Sequence, residues 1–205
     1  MIGISKYNEH INPKKKELKK LLESQTKSTK SGTEYLLCGC GNPIHKERYH
    51  IVNEADAGLK LICPICYYPE NLDTVASSDM GMLIFAPDLT QKQVNSLAIM
   101  IAYLKQLGDD DSLELVEDVL SVVKKRQDLM ESIYGEGASD PAIFCQFMYS
   151  LSEEEYNKRH NFVEHLKYLP EDTVTKRDVA YYKTNILKNY HPTKWRSLLQ
   201  SLSKN

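Results

Sequence analysis

The sequence predicts an α+β protein, a small β-rich module followed by a bundle of amphipathic helices, on three observations. Four of its five cysteines stand in two pairs, Cys38-Gly-Cys40-Gly and Cys63-Pro-Ile-Cys66, within the stretch from Tyr35 to Tyr67. Short apolar runs lead into both pairs and lie between them, which is the pattern of brief strands. From Thr90 onward apolar residues recur at every third or fourth position, the period of a half-buried helix. The chain then divides into a polar, lysine-rich arm and linker (1–33), the cysteine module (34–87) and a helical region packed on it (88–205).

Each cysteine pair belongs to a tight turn. Gly39 and Gly41 let the backbone bend sharply, and Pro64 sets φ directly after Cys63. Twenty-two residues separate Cys40 from Cys63, enough for a strand, a loop and a second strand. Two such turns can bring four thiolates together tetrahedrally, and Zn²⁺ is the metal that suits four sulfurs. The expected ligands are Cys38, Cys40, Cys63 and Cys66, holding one structural zinc. The first pair is C-x-C, a tighter loop than C-x-x-C, so His45 or His50 is the alternative to one cysteine. Two buried thiol pairs, or a disulfide, is the plainer reading, against which the glycine and proline flanks argue. A closed four-sulfur site leaves no position for water, so it would hold the fold together rather than do chemistry.

Bulk composition narrows the classes. With 41% hydrophobic residues in 205, a sizeable core can form. A formal net charge of −2 and a pI near 6.3 speak against a strongly basic nucleic-acid binder. No apolar run of about 20 residues spans a membrane, and the N-terminus lacks the apolar core of a secretory signal. Cysteines paired for a metal fit a reducing compartment, so a cytoplasmic location is expected.

Taken in order, the elements follow from local signals. Pro13 to Ser24 reads as one helix with Leu18, Leu21 and Leu22 on one face; a solvated helix and a flexible linker fit better than a nucleic-acid arm, because no aromatics interleave with the lysines. Tyr35–Leu37, Tyr49–Asn53, Leu59–Ile62 and Met82–Phe85 read as strands. Thr90 and Gln93 form a capping box for a helix bearing Val94, Leu97, Ile101 and Leu104, ended by Gly108. Asp111 with Glu114 is expected to open the next helix, whose inner face runs Leu113, Val116, Leu120, Val123, Gln127 and Met130 to Gly135. The acidic corner Asp109-Asp110-Asp111 is expected to be solvated rather than a metal site. Asp140 and Pro141 start a helix over 142–149. Ser152 with Glu155 starts another, expected to end near Pro170. Thr175 with Asp178 begins one through Asn189, and Thr193 to Leu202 makes a last short helix containing Trp195.

His50-Ile-Val-Asn53 lies between the cysteine pairs, where nucleases of the HNH (ββα-metal) type carry a general-base histidine. Such a site needs a further metal-binding group on the following helix. Here Tyr67 and Tyr68 follow Cys66, and no asparagine near Gly58 and Leu59 is placed to orient the histidine. The expectation is an HNH-like scaffold with an incomplete catalytic set, hence no enzyme. An HNH-type nuclease and a zinc-ribbon nucleic-acid binder are the alternatives.

A narrower resemblance lies further on. Gly81-Met-Leu-Ile-Phe-Ala-Pro-Asp-Leu-Thr-Gln-Lys-Gln-Val-Asn-Ser-Leu97 resembles the strand, turn and helix of the IcmJ (DotN) family. Tyr134-Gly-Glu-Gly-Ala-Ser-Asp-Pro-Ala-Ile-Phe144, followed by Gln146, Met148 and Tyr149, resembles that family more closely still. With the cysteine module, the likeness covers roughly residues 35–150. That family belongs to the Dot/Icm type IVB secretion apparatus. The resemblance implies an HNH-like zinc fold without nuclease function, acting as a subunit of the coupling complex. It implies a partner, the C-terminal tail of the coupling ATPase DotL, in a complex with the effector adaptors IcmS, IcmW and LvgA. It also implies a cytoplasmic position peripheral to the inner membrane. Carried over by residue, it assigns zinc ligation to Cys40, Cys63 and Cys66. The family resembles C-x-x-C where this chain has Cys38-Gly-Cys40, so Cys38 sits on a loop one residue shorter. Partner anchors are expected among Ile143, Phe144, Phe147, Met148 and Tyr149, or among Tyr181, Tyr182, Tyr190 and Trp195.

Overall fold

The computed structural model describes residues 1–5, 13–28, 32, 34–44, 48–54, 58–75 and 80–185. Helix α1 (Lys15–Gln25) is closed at its start by the backbone N–H of Lys14 donating to Glu17 Oε2 at 2.9 Å. None of its residues is fully buried, but Leu21 and Leu22 pack against the cysteine module. The chain runs straight into β1 (Thr26–Ser28), antiparallel to β2 (Glu34–Leu37), which pairs with β3 (Pro43–Ile44). Part of the expected linker is therefore a strand. Its polar side chains are half-buried or exposed, so an apolar alternation was never needed to form it.

The hairpin β4 (His50–Glu54) and β5 (Gly58–Ile62) follows, with His50 opposite Ile62 and Glu54 opposite Gly58. A single helical turn, α2 (Pro64–Tyr67), completes a ββα order and leads into 3₁₀ turns at Tyr68–Glu70 and Leu72–Thr74. Leu36, Ile44, Leu61 and Ile65 are buried around the cysteines. Arg48 Nη1 reaches the buried Asp178 carboxylate at 3.2 Å, tying this module to the helix that begins at Asp172.

The second half is built on β6 (Gly81–Phe85) paired antiparallel with β7 (Leu166–Pro170), from Gly81 opposite Pro170 to Phe85 opposite Leu166. The helix expected to run from Ser152 to Pro170 is not continuous. It breaks into α6 (Glu153–Asn157) and α7 (His160–Val163), and its last stretch is this strand, buried at all five positions. A short apolar run is compatible with either state, and the free edge of β6 decides it. At Gly81 the two strands close in: a Cβ there would lie 2.6 Å from the Leu169 carbonyl oxygen. Leu83, Met130, Phe144, Met148, Tyr156 and Tyr168 form the main core, and Ile2 and Ile4 are buried in it, with the Ile4 N–H donating to Tyr156 Oη at 2.9 Å.

Helix α3 (Gln91–Leu107) has the expected Thr90–Gln93 capping box and ends at Gly108, φ 71°. Helix α4 (Asp110–Tyr134) starts earlier than expected. Asp109 is its cap, accepting from the Ser112 N–H and hydroxyl, each at 2.9 Å. Val116, Val123 and Met130 are buried on the expected face, whereas Leu113 is exposed. Helix α5 (Pro141–Ser150) is capped by Asp140, which accepts from the Ala142 and Ile143 N–H groups. Helix α8 (Asp172–Asn185) begins three residues before Thr175, whose side chain is buried. The helix expected over 193–202 lies outside the described residues. Among the described residues, no helix is long and apolar enough to cross a membrane.

Candidate metal centre

The structure brings Cys38, Cys40, Cys63 and Cys66 together, their Sγ atoms all within 4.8 Å of one another. Cys38 and Cys40 flank the turn between β2 and β3. The Cys38 N–H donates to the Asn42 carbonyl and the Gly41 N–H to the Cys38 carbonyl, both at 2.9 Å. Gly41 has φ 90° and occupies the left-handed position the turn requires, whereas Gly39 does not. Of the two glycines, then, only Gly41 supplies the bend. Cys63 is the cap of α2 with Pro64 at the first helical position, and its carbonyl accepts from the Cys66 and Tyr67 N–H groups at 3.0 and 3.1 Å.

The spacing of the sulfurs suits a metal rather than a disulfide. Four sulfurs at about 2.3 Å from a common tetrahedral ion lie about 3.8 Å apart. Cys40 Sγ and Cys63 Sγ are 3.8 Å apart, and all four thiols are free. Thiol protons in such a cluster are mutually dependent. Hydrogen bonds from Cys40, Cys63 and Cys66 pull Cys38 far below the ordinary thiol range. Hydrogen bonds with Cys38 and Cys40 push Cys63, and likewise Cys66, far above it. The thiolate is favoured at Cys38 and Cys40 and opposed at Cys63 and Cys66, unless a cation takes the place of the shared protons. The donor set therefore fits a metal ion, which the four cysteines together could hold. The C-x-C loop reaches the cluster without an additional residue.

Three amide side chains hold this arrangement, and sequence reasoning passed over all of them. Asn95, buried on α3, donates to Cys66 Sγ at 3.4 Å. Gln91 Nε2 donates to Asn95 Oδ1 at 2.9 Å and to the Tyr168 carbonyl at 2.6 Å, while the Tyr168 N–H donates to Gln91 Oε1 at 3.0 Å. This chain links β7 to a cysteine sulfur. The Cys63 N–H also donates to Cys38 Sγ at 3.3 Å. Such donors favour the thiolate and orient it for a metal. On the other side, Gln25 Nε2 donates to the Leu37 and Leu61 carbonyls, each at 3.0 Å, and its Oε1 accepts from the Leu61 N–H at 2.7 Å. It thereby joins α1 to the strands that lead into both cysteine pairs. The available signal was a polar residue on the inward side of α3, at Asn95 beside Val94 and Ala98.

The other candidates separate. His50 stacks on Tyr67, with ring centroids 3.8 Å apart and planes 5° apart, and meets Tyr68 edge-on at 6.2 Å. Burial, and then the nearby Arg48 charge, lower its pKa, so the ring is neutral. His45 lies outside the described residues. Asp109 of the acidic corner is the α4 cap, and among the described residues the four cysteines are the cluster that could hold an ion. On α5, Phe144 and Met148 belong to the core, while Ile143, Phe147 and Tyr149 are exposed. The Phe147 ring touches Phe162 at 5.8 Å, and Tyr149 Oη donates to Asp73 at 2.8 Å. Tyr181 is half-buried; the Tyr182 side chain, Tyr190 and Trp195 lie outside the described residues.

Fold and site together define a class: a mixed α+β protein in which small antiparallel sheets carry a four-cysteine cluster able to take a metal ion, followed by helices. No protein-family model matches the chain. It is similar to the type 4 apparatus protein DotN of Legionella pneumophila subsp. pneumophila, 26% identical over 126 residues. That alignment takes in 62% of this chain and 58% of the relative, so the chain spans a little over half the length of the protein it matches. This similarity is to a protein of the family that residues 81–97 and 134–149 resemble.

Proposed function

We propose that this chain is a zinc-binding, non-enzymatic subunit of a type IVB secretion coupling complex. In this reading it binds the C-terminal tail of a DotL-like coupling ATPase, alongside effector adaptors such as IcmS, IcmW and LvgA, at the cytoplasmic side of the inner membrane. The observation that carries the proposal is the similarity to DotN over 126 residues in a chain whose four cysteines converge. Zinc is the ion that best fits four sulfur donors at these separations. The stacking of His50 against Tyr67 supports a packing role for this residue, and so favours the non-enzymatic reading over a nuclease. Ile143 and Phe147, exposed one helical turn apart on α5, offer apolar anchors for a partner helix.

The test is a pull-down of this protein, with its zinc quantified, against the C-terminal tail of the coupling ATPase from the same secretion cluster. Stoichiometric capture with about one zinc per chain is expected, the occupancy of a closed four-thiolate site. Zinc-loaded protein that fails to bind the tail, or Mg²⁺-dependent nicking of DNA that disappears with His50→Ala, would overturn the reading.

A further inference from the structure

Helix α4 turns an apolar line away from the core. Leu115, Val122 and Leu129 are 47%, 52% and 45% exposed among the described residues, and their seven-residue spacing places them along one side of the helix. Two exposed charges alternate with them. Asp118 stands three residues after Leu115 and four before Val122, and Lys125 three after Val122 and four before Leu129, so each borders the same line. The rest of the helix is divided in the same sense. From Asp109 to Ser121 the sequence holds six acids and no lysine or arginine, whereas Lys124, Lys125 and Arg126 follow together, ahead of Asp128 and Glu131. Lys124 and Arg126 are engaged within the chain, by Asp128 and Asp88, which leaves Lys125 as the base to be met from outside.

Such a face is complementary to its own reverse. With a second copy laid antiparallel and the two Val122 side chains on a two-fold axis, Leu115 meets the partner's Leu129, and Asp118 falls one residue from the position opposite the partner's Lys125. Symmetry makes each contact twice. The acidic first half of each helix then runs beside the basic cluster of the other. A parallel pair would set Asp118 on Asp118, Lys125 on Lys125 and acids on acids, and like charges across an interface repel. The seam from Leu115 to Leu129 is about 21 Å long, a small interface of the weak and transient class.

We propose that this chain pairs with a second copy of itself through α4, antiparallel about Val122. Leu115, Val122 and Leu129 of both copies form the apolar seam, and two Asp118–Lys125 ion pairs fix its direction. The pairing uses neither the cysteines nor α5, and it stands whether or not the coupling-ATPase reading holds.

Sedimentation equilibrium of the full, zinc-loaded chain tests this. A reversible monomer–dimer equilibrium with a dissociation constant of about 1–100 μM is expected, the range of a small interface. Val122→Glu sets two like charges on the axis and should abolish the dimer, with the circular dichroism unchanged because the side chain is exposed in the single chain. Asp118→Lys and Lys125→Glu should each weaken it by at least about tenfold. The double variant Asp118→Lys with Lys125→Glu should recover it. So should an equimolar mixture of the two single variants, since each supplies the charge the other lacks. A chain that stays monomeric up to about 1 mM overturns the proposal. A dimer indifferent to Val122→Glu lies on another surface and overturns it as well. So does a dimer that Val122→Glu abolishes but that neither the double variant nor the mixture recovers, because the antiparallel register requires that recovery.

Discussion

Replacing Cys63 by serine probes the candidate metal centre at its most enclosed cysteine. Cys63 is buried, its Sγ lies 3.8 Å from that of Cys40, and its N–H donates to Cys38 Sγ. A serine hydroxyl fits the space but is a poor zinc ligand, so the main effect is lost metal affinity rather than lost packing. With free zinc about a thousandfold above the dissociation constant, bound metal contributes about 4 kcal/mol to folding. In a chain of this size each kcal/mol moves the melting temperature by about 2–4 °C, so Cys63→Ser should melt roughly 8–16 °C lower at saturating zinc. The assay is thermal melting followed by circular dichroism, with zinc measured on the same samples, for the wild type and the variant, each with and without a chelator. Chelation should lower the wild type by the same amount as the substitution, and should leave the variant where it is, because both perturbations remove one interaction. A variant that keeps its zinc and melts with the wild type would refute the structural-metal argument.

Three further outcomes follow from the site and its supports. Gly41→Ala should cost about 1–2 kcal/mol, the penalty of a left-handed backbone for a residue with a side chain, because its φ is 90°. Gly39→Ala should be nearly neutral, since a Cβ there meets nothing within 4 Å; urea melts of the pair distinguish the two glycines. Gln25→Ala removes three hydrogen bonds to strand backbone in a partly buried place and should cost about 2–3 kcal/mol by urea denaturation, whereas a free linker residue would give no change. His50 should titrate below the usual histidine value of about 6.5 in an NMR titration, because burial and then Arg48 oppose its charge. The sign follows from linkage: the neutral ring is favoured in the fold, so its contribution is complete above the unfolded pKa and fades as pH falls through the depressed folded one. His50→Phe, keeping the stack on Tyr67, should flatten that acid-side loss.

The sequence by itself determined those features whose signals lie within a few residues. Thr90 and Gln93 announce α3, Gly108 ends it, and Asp140 with Pro141 starts α5. Tyr35–Leu37, Tyr49–Asn53, Leu59–Ile62 and Met82–Phe85 fall on observed strands to within a residue. The four cysteines could be named because thiols in glycine- and proline-marked turns converge for a small set of physical reasons. Features set by distant partners stayed hidden. Leu166–Pro170 becomes a strand because β6, more than eighty residues earlier, offers it an edge, and Thr26–Ser28 does so because β2 offers another. Ile143 and Phe147 face outward while Phe144 and Met148 are buried, although all four are apolar; only the packing of α5 against the core separates them. The link from Tyr168 through Gln91 and Asn95 to Cys66 is likewise tertiary. Caps and turns are satisfied by neighbours in the chain, whereas strand edges, buried faces and sulfur hydrogen bonds need groups that only folding brings near.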